Sequence, residues 1–192
     1  MIIGISGYAQ VGKDTLADIL VEHYGFIKVS FADKLRECLA ALNPVVDVKG
    51  HYSKSPDLLR YNDAIATYGY AAAKSMFPEI RELLQRFGTE VGRDLLGNDI
   101  WVDSLMQAVN DPTKNYVIPD VRFPNEVDMI RFFKGHVVRV VRPDVFRINA
   151  HQSETQDFKV DTVVHNDGTI EDLVTSAHTL MKLLTEDGVY VS

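Results

Sequence analysis

Apolar positions along the chain follow two spacings. Continuous runs occupy Met1 to Ile5, Phe26 to Ser30, Tyr116 to Asp120, His136 to Val141 and Val160 to Val164. Between them, apolar residues recur every three or four positions in Lys13 to His23, from Phe31 past Glu37, and in Leu58 to Lys74, Pro78 to Phe87, Val91 to Leu96, Ile100 to Val109, Phe123 to Phe133 and Ile170 to Leu184. The first spacing predicts strands covered on both faces, the second amphipathic helices. Ile80, Leu83, Leu84 and Phe87 share one helical stripe and are expected to make core contacts. Gly25, Gly88, Gly97-Asn98, Gly135 and Asp167-Gly168 supply breaks, with Gly88 expected to end a helix, and Asp33 and Asp99 stand where N-caps belong. From Asn43 to Asp57 the periodicity fails, and Pro44, Gly50, Ser53, Ser55 and Pro56 predict a loop.

Strands alternating with helices predict an α/β fold, a three-layer α/β/α sandwich around a five-stranded parallel sheet. The 192 residues, 46% of them hydrophobic, suit one domain, 1–192, with a helical insertion over 43–115 and a polar segment over 142–158. Ligands of such folds bind beyond the carboxyl ends of the strands. There the sequence places Gly7 to Thr15, Asp33 with Lys34, Asp120 with Arg122, Arg142, and Asn166, one group after each strand.

A formal charge of -7 argues against a nucleic-acid partner, so phosphate affinity has to come from local basic clusters. The single cysteine, Cys38, excludes an intramolecular disulfide and a Cys-rich zinc site, which suits reducing cytoplasm. No membrane association is expected, because no apolar stretch approaches a spanning length and Met1 leads straight into a strand without room for a cleaved signal. Homodimerisation is neither required nor excluded.

The chemistry concentrates in Gly7-Tyr-Ala-Gln10-Val11-Gly12-Lys13-Asp14-Thr15, a glycine-bracketed turn between a strand and a helix. Backbone N–H groups of such a loop face inward, the helix directs its positive end to the same place, and Lys13 reaches the outer phosphates. Asp14 stands where a Ser or Thr would ligate Mg²⁺. A carboxylate is also a hard oxygen ligand, direct or through water, and Thr15 offers a hydroxyl one position later. The alternative is that Asp14 only favours the first helical turn. Arg86, Arg93, Arg122, Arg142 and Arg147 sit at element ends or in the polar segment, suited to gripping a second phosphate or the group in transit. Asp120 closes an apolar strand and is the second candidate for organising Mg²⁺. Its alternatives are to polarise an acceptor, hold Arg122 or cap the following helix. The stretch 142–158 is long enough for a lid, with His151 as a hydrogen-bonding member rather than a base. Trp101 can stack on a base or sit in the core.

With these residues in view, the chain resembles the phage deoxynucleoside monophosphate kinases, relatives of the adenylate and dephospho-coenzyme A kinases. The likeness runs through Gly7 to Thr15, Phe31-Ala-Asp33-Lys34-Leu-Arg36, Leu84-Gln85-Arg86-Phe-Gly88-Thr89-Glu90-Val-Gly92-Arg93, Asp99-Ile-Trp101-Val, Asp120-Val-Arg122-Phe-Pro124-Asn125-Glu126 and His151-Gln-Ser153-Glu154. Asp14 is typical of that group. The resemblance implies ATP and Mg²⁺ as cofactors, a nucleoside monophosphate as substrate, and in-line transfer giving the diphosphate, a step of deoxynucleotide biosynthesis. It implies ATP phosphates on Gly7 to Thr15, with adenine contacting the backbone at Asn166. It also implies acceptor contacts from Asp33, Lys34, Gln85, Arg86, Thr89, Arg93, Trp101, Arg122 and Glu154, and action near the transferred group by Arg122, Arg142 and Arg147. Another acceptor, of the phosphomevalonate or dephospho-coenzyme A type, is the closest rival reading, followed by a nucleotide sensor without catalysis. A GTP switch is disfavoured, since no Asn-Lys-x-Asp signature occurs.

Overall fold

The computed structural model describes residues 1–49, 57–143, 145 and 156–186. Two compact units divide the chain: Met1–Phe31 together with Leu105–Ser192, and Ala32–Ser104.

The first unit carries the sheet. Strands β1 (Ile2–Ser6), β2 (Ile27–Lys28), β5 (Tyr116–Ile118), β6 (His136–Val141) and β7 (Thr162–His165) run parallel in the order β2-β5-β1-β6-β7. β1 is central, aligning Ile3 with Val117 on one side and His136 on the other. Alternation along β1 decides what each face buries. Ile3 and Ile5 face helices α1 (Lys13–Tyr24) and α8 (Ile170–Glu186), meeting Leu16, Leu20, Leu173 and Leu180 in one buried cluster. On the opposite face, α7 (Pro124–Phe132) brings Ile130 so close to Gly4 that a Cβ there would lie 2.3 Å from its Cδ1. The five-stranded α/β/α layering read from the sequence is therefore present.

The second unit departs from the sequence reading in several places. Where a loop was expected over Asn43 to Asp57, β3 (Val45–Lys49) and β4 (Asp57–Arg60) pair antiparallel. Helix begins only at α3 (Tyr61–Tyr68) and, after Gly69, continues as α4 (Tyr70–Met76). The hairpin forms because β-branched valines flank Asp47 and because Val46 and Leu59 are buried, at 1% and 6% exposure. Pro44, outside the strand, concealed this. Gly88 does not end a helix either. After α5 (Pro78–Arg86) the chain continues without a break as a π-helix, Phe87–Leu96, because Gly88 keeps an ordinary negative φ, and the stop falls at Gly97, whose N–H bonds to the Gly92 carbonyl at 3.0 Å. α6 (Ile100–Ala108) follows. Of the expected stripe only Ile80 is buried; Leu83, Leu84 and Phe87 are half-covered. Helix α2 (Asp33–Leu42) takes Ala32 as N-cap with no side-chain bond, since Arg36 Nη1, one turn on, holds the Asp33 carboxylate at 2.7 Å.

Candidate phosphate-binding site

β1 ends at Ser6 and α1 starts at Lys13, so the intervening turn must reverse direction within six residues. It does so through positive φ at Gly7 (140°), Gln10 (67°) and Gly12 (99°). Both glycines are also crowded: a Cβ on Gly7 would lie 2.4 Å from the Val140 carbonyl oxygen, and one on Gly12 2.4 Å from Asn166 Nδ2. Gly12 caps α1 without a side chain, which leaves the helix's first turn, with its positive dipole end, for an anion.

A cavity of about 470 Å³ opens in front of this turn. Its walls bring together Gln10, Gly12, Lys13, Asp14 and Thr15 with Arg142, which follows β6, and Asn166, which follows β7. Gly168 and Thr169, at the start of α8, complete it. Lys13 folds back over its own loop, Nζ donating to the Tyr8 carbonyl at 2.6 Å.

Asp14 lies on the rim with a largely exposed side chain, and Lys28 Nζ of β2 sits 3.0 Å from its carboxylate and 2.9 Å from that of Asp18. Partial burial pulls the Lys28 pKa down. The bonds and charges of Asp18 and Asp14 outweigh it, so the net shift is upward and Lys28 stays cationic. After β5, Asp120 accepts the Ser30 hydroxyl at 2.6 Å and the Phe31 N–H at 3.1 Å. It does not cap α7. That task falls to Glu126, 2% exposed, whose Oε2 accepts the N–H groups of Arg122 at 2.6 Å and Phe123 at 3.1 Å. Asn166 is buried, and its side chain donates to the Val11 carbonyl at 2.8 Å. Val11 itself is core, at 1% exposure.

Asp33, Lys34, Gln85, Arg86, Thr89, Arg93 and Trp101 all belong to the Ala32–Ser104 unit. Lys34 pairs with Glu37, which raises its pKa. Arg86 is exposed and lies 3.3 Å from Glu90 and 3.8 Å from Glu82. Gln85 and Thr89 are half-buried. Arg93 is buried, its Nη1 donating to the Asn98 carbonyl at 2.9 Å. Trp101 is buried against Gly92, its Nε1–H bonded to the Gly88 carbonyl at 2.8 Å. Arg147, His151 and Glu154 lie outside the described residues. Sequence reading missed Lys28, because a lysine in a short strand carries no motif and only its tertiary neighbours reveal it.

A strand, a glycine-bracketed loop and an uncapped helix start at the carboxyl end of a central parallel strand form a P-loop, a turn shaped to hold an anion. Residues 54–177 match the deoxynucleotide monophosphate kinase family, and the chain belongs to it. A protein of Acanthamoeba polyphaga mimivirus, to which the same activity has been ascribed, is 29% identical over 193 residues, covering 90% of this chain and 91% of its own. The deoxynucleotide monophosphate kinase of Enterobacteria phage T4 is 23% identical, covering 95% and 99%. Among solved structures, shikimate kinase from Aquifex aeolicus aligns over 97% of this chain and 98% of its own at 12% identity, with a TM-score of 0.49, too distant a likeness to speak of substrate. Membership of a kinase family brings ATP as phosphoryl donor. Among the described residues, no helix is long and apolar enough to cross a membrane.

Proposed function

We propose that this chain transfers the terminal phosphoryl group of ATP to the phosphate of a deoxynucleoside monophosphate, giving the diphosphate. The observation that carries the reading is the cavity in front of the Gly7–Gly12 turn, which joins Lys13 and Arg142 to the start of α1. Phosphoryl transfer needs alignment and charge neutralisation more than covalent chemistry, and these groups supply both. Lys13, extended away from the Tyr8 carbonyl, would meet the outer phosphates. Arg122, at the mouth of β5, and Arg142 are assigned to the group in transit.

Mg²⁺ fits the donor set. Among the described residues no cluster of three or more His, Cys, Asp or Glu could hold a metal alone; an ion that arrives with nucleotide phosphates needs only one or two protein oxygens. Asp14 and Thr15 on the cavity wall would hold it, with Asp120 acting through water. The ion would neutralise charge on the phosphates. Lys28 keeps Asp14 from repelling those phosphates while leaving its second oxygen for a ligand.

Residues 32–104 are assigned to the acceptor, through Lys34, Gln85, Arg86, Thr89 and Arg93. Arg86 and Lys34 are held by exposed ion pairs that cost little to exchange for a phosphate. Trp101, with its indole N–H already bonded, is assigned to the wall behind Gly92. A coupled ADP-release assay across the common nucleoside monophosphates tests the reading. At least one deoxynucleotide should stimulate turnover, and Lys13→Ala should lose it on the order of a hundredfold or more. Equal rates in both proteins would overturn it.

A further inference from the structure

Two buried carboxamides grip the phosphate loop, one at each end. Gln156 Nε2 donates to the Gly7 carbonyl at 2.9 Å, and Asn166 Nδ2 donates to the Val11 carbonyl at 2.8 Å. Both residues are 8% exposed. A trans peptide carries its C=O and the next residue's N–H on opposite edges of one rigid plane, so fixing the carbonyl aims the N–H. Gln156 therefore sets the Tyr8 N–H, and Asn166 the Gly12 N–H.

The surroundings are arranged around these two donors. Gln156 adopts a left-handed φ of 46°, uncommon for a residue with a side chain. Arg139 holds that conformation from β6: its Nη2 donates to the Gln156 carbonyl at 3.0 Å and the Phe158 carbonyl at 3.2 Å, and its guanidinium lies 5.3 Å from the Phe158 ring centre. Asn166 is anchored by its own N–H, bonded to the Val141 carbonyl at 2.9 Å, and only a glycine at position 12 admits its amide. The geometry points to Gln156 and Asn166 as positioning residues that orient the loop's N–H groups toward the phosphates of a nucleoside triphosphate. This rests on the donor site proposed above.

The test uses the full chain with Gln156→Met and Asn166→Leu, which keep bulk and remove the donor. ATP, ADP and adenosine binding are measured by calorimetry without acceptor, alongside the melting temperature of the free protein. ATP and ADP should bind about tenfold more weakly in each variant and on the order of a hundredfold more weakly in the pair, with a much smaller loss for adenosine, while the free melting temperature falls by the few degrees that a stranded buried carbonyl costs. Affinity for ATP within about twofold of the parent in both variants, or an equal loss for adenosine, overturns the inference. Failure of the parent itself to bind ATP overturns the donor site and this inference with it. In the unaltered protein, NMR should find both carboxamide NH₂ groups slow to exchange and coupled to the Gly7 and Val11 carbonyl carbons. Fast exchange at both refutes the clamp even if the variants do not fold.

Discussion

Gly12 and Asp14 show how differently two neighbouring residues of one loop can be constrained. Gly12 has a left-handed φ of 99° and no space for a Cβ, so Gly12→Ala should strain the turn, displace Asn166 and weaken ATP binding at least tenfold, read by calorimetry. Asp14 is constrained by charge instead. Lys28→Met would leave its carboxylate uncompensated beside the phosphates, raising KM for ATP about three- to fivefold in a steady-state assay. The sign with pH follows from the raised pKa of Lys28: its contribution to stability is complete below the ordinary lysine value of 10.5 and is lost as pH climbs through the higher folded value. The turn from Gly7 to Gly12 was legible in the sequence because a short, contiguous loop carries its own spacing. Gln156, which follows Gly7 by 149 residues, was not.

Helix starts are where single side chains hold whole elements in place. α7 depends on Glu126, and Glu126→Ala would strand two backbone N–H groups, costing about 2 kcal/mol in a urea unfolding curve. α8 begins with a reciprocal box. The Asp172 carboxylate accepts the Thr169 N–H at 2.8 Å and its hydroxyl at 3.0 Å, while the Thr169 hydroxyl oxygen accepts the Asp172 N–H at 3.3 Å. Thr169→Ala should therefore cost about 1 kcal/mol. The bonds from the backbone and hydroxyl of Thr169 depress the Asp172 pKa below 3.8, so this cap is intact above the ordinary carboxylate range and fades as pH falls through the lowered value. An acid titration of the Thr169 amide by NMR should show the transition, and Asp172→Asn should abolish it. Helices and the buried strands β1 and β5 were readable at this level, since their apolar spacing is local, whereas β2, expected to be covered on both faces, is an edge strand of two exposed residues. The β3–β4 hairpin was not, because its valines gain strand preference only through the partner strand. The π-helix was not, because winding register is decided by neighbours such as Trp101 closing on Gly92, and no residue type announces it.

In the unit formed by 1–31 and 105–192, the loop is strung between β1, the start of α1, and side chains that follow β6 and β7, so donor binding at the proposed site is expected to stabilise the fold. ATP at a hundred times its Kd should stabilise the parent by about 2.7 kcal/mol, and Lys13→Ala should lose most of that gain in a thermal scan. Ile5→Ala, in the fully buried centre of the sheet, should instead cost about 2–5 kcal/mol with or without nucleotide. Sequence by itself determined the alternation of strands and helices, the phosphate loop, and the ends of strands at which Asp120, Arg142 and Asn166 emerge, for each is written in residues adjacent along the chain. Tertiary structure alone decided which carbonyls of the loop are held, which ammonium neutralises Asp14, and which carboxylate caps α7. Those outcomes depend on hydrogen-bond geometry between residues brought together only by folding, and pairing of that kind leaves no trace in local pattern.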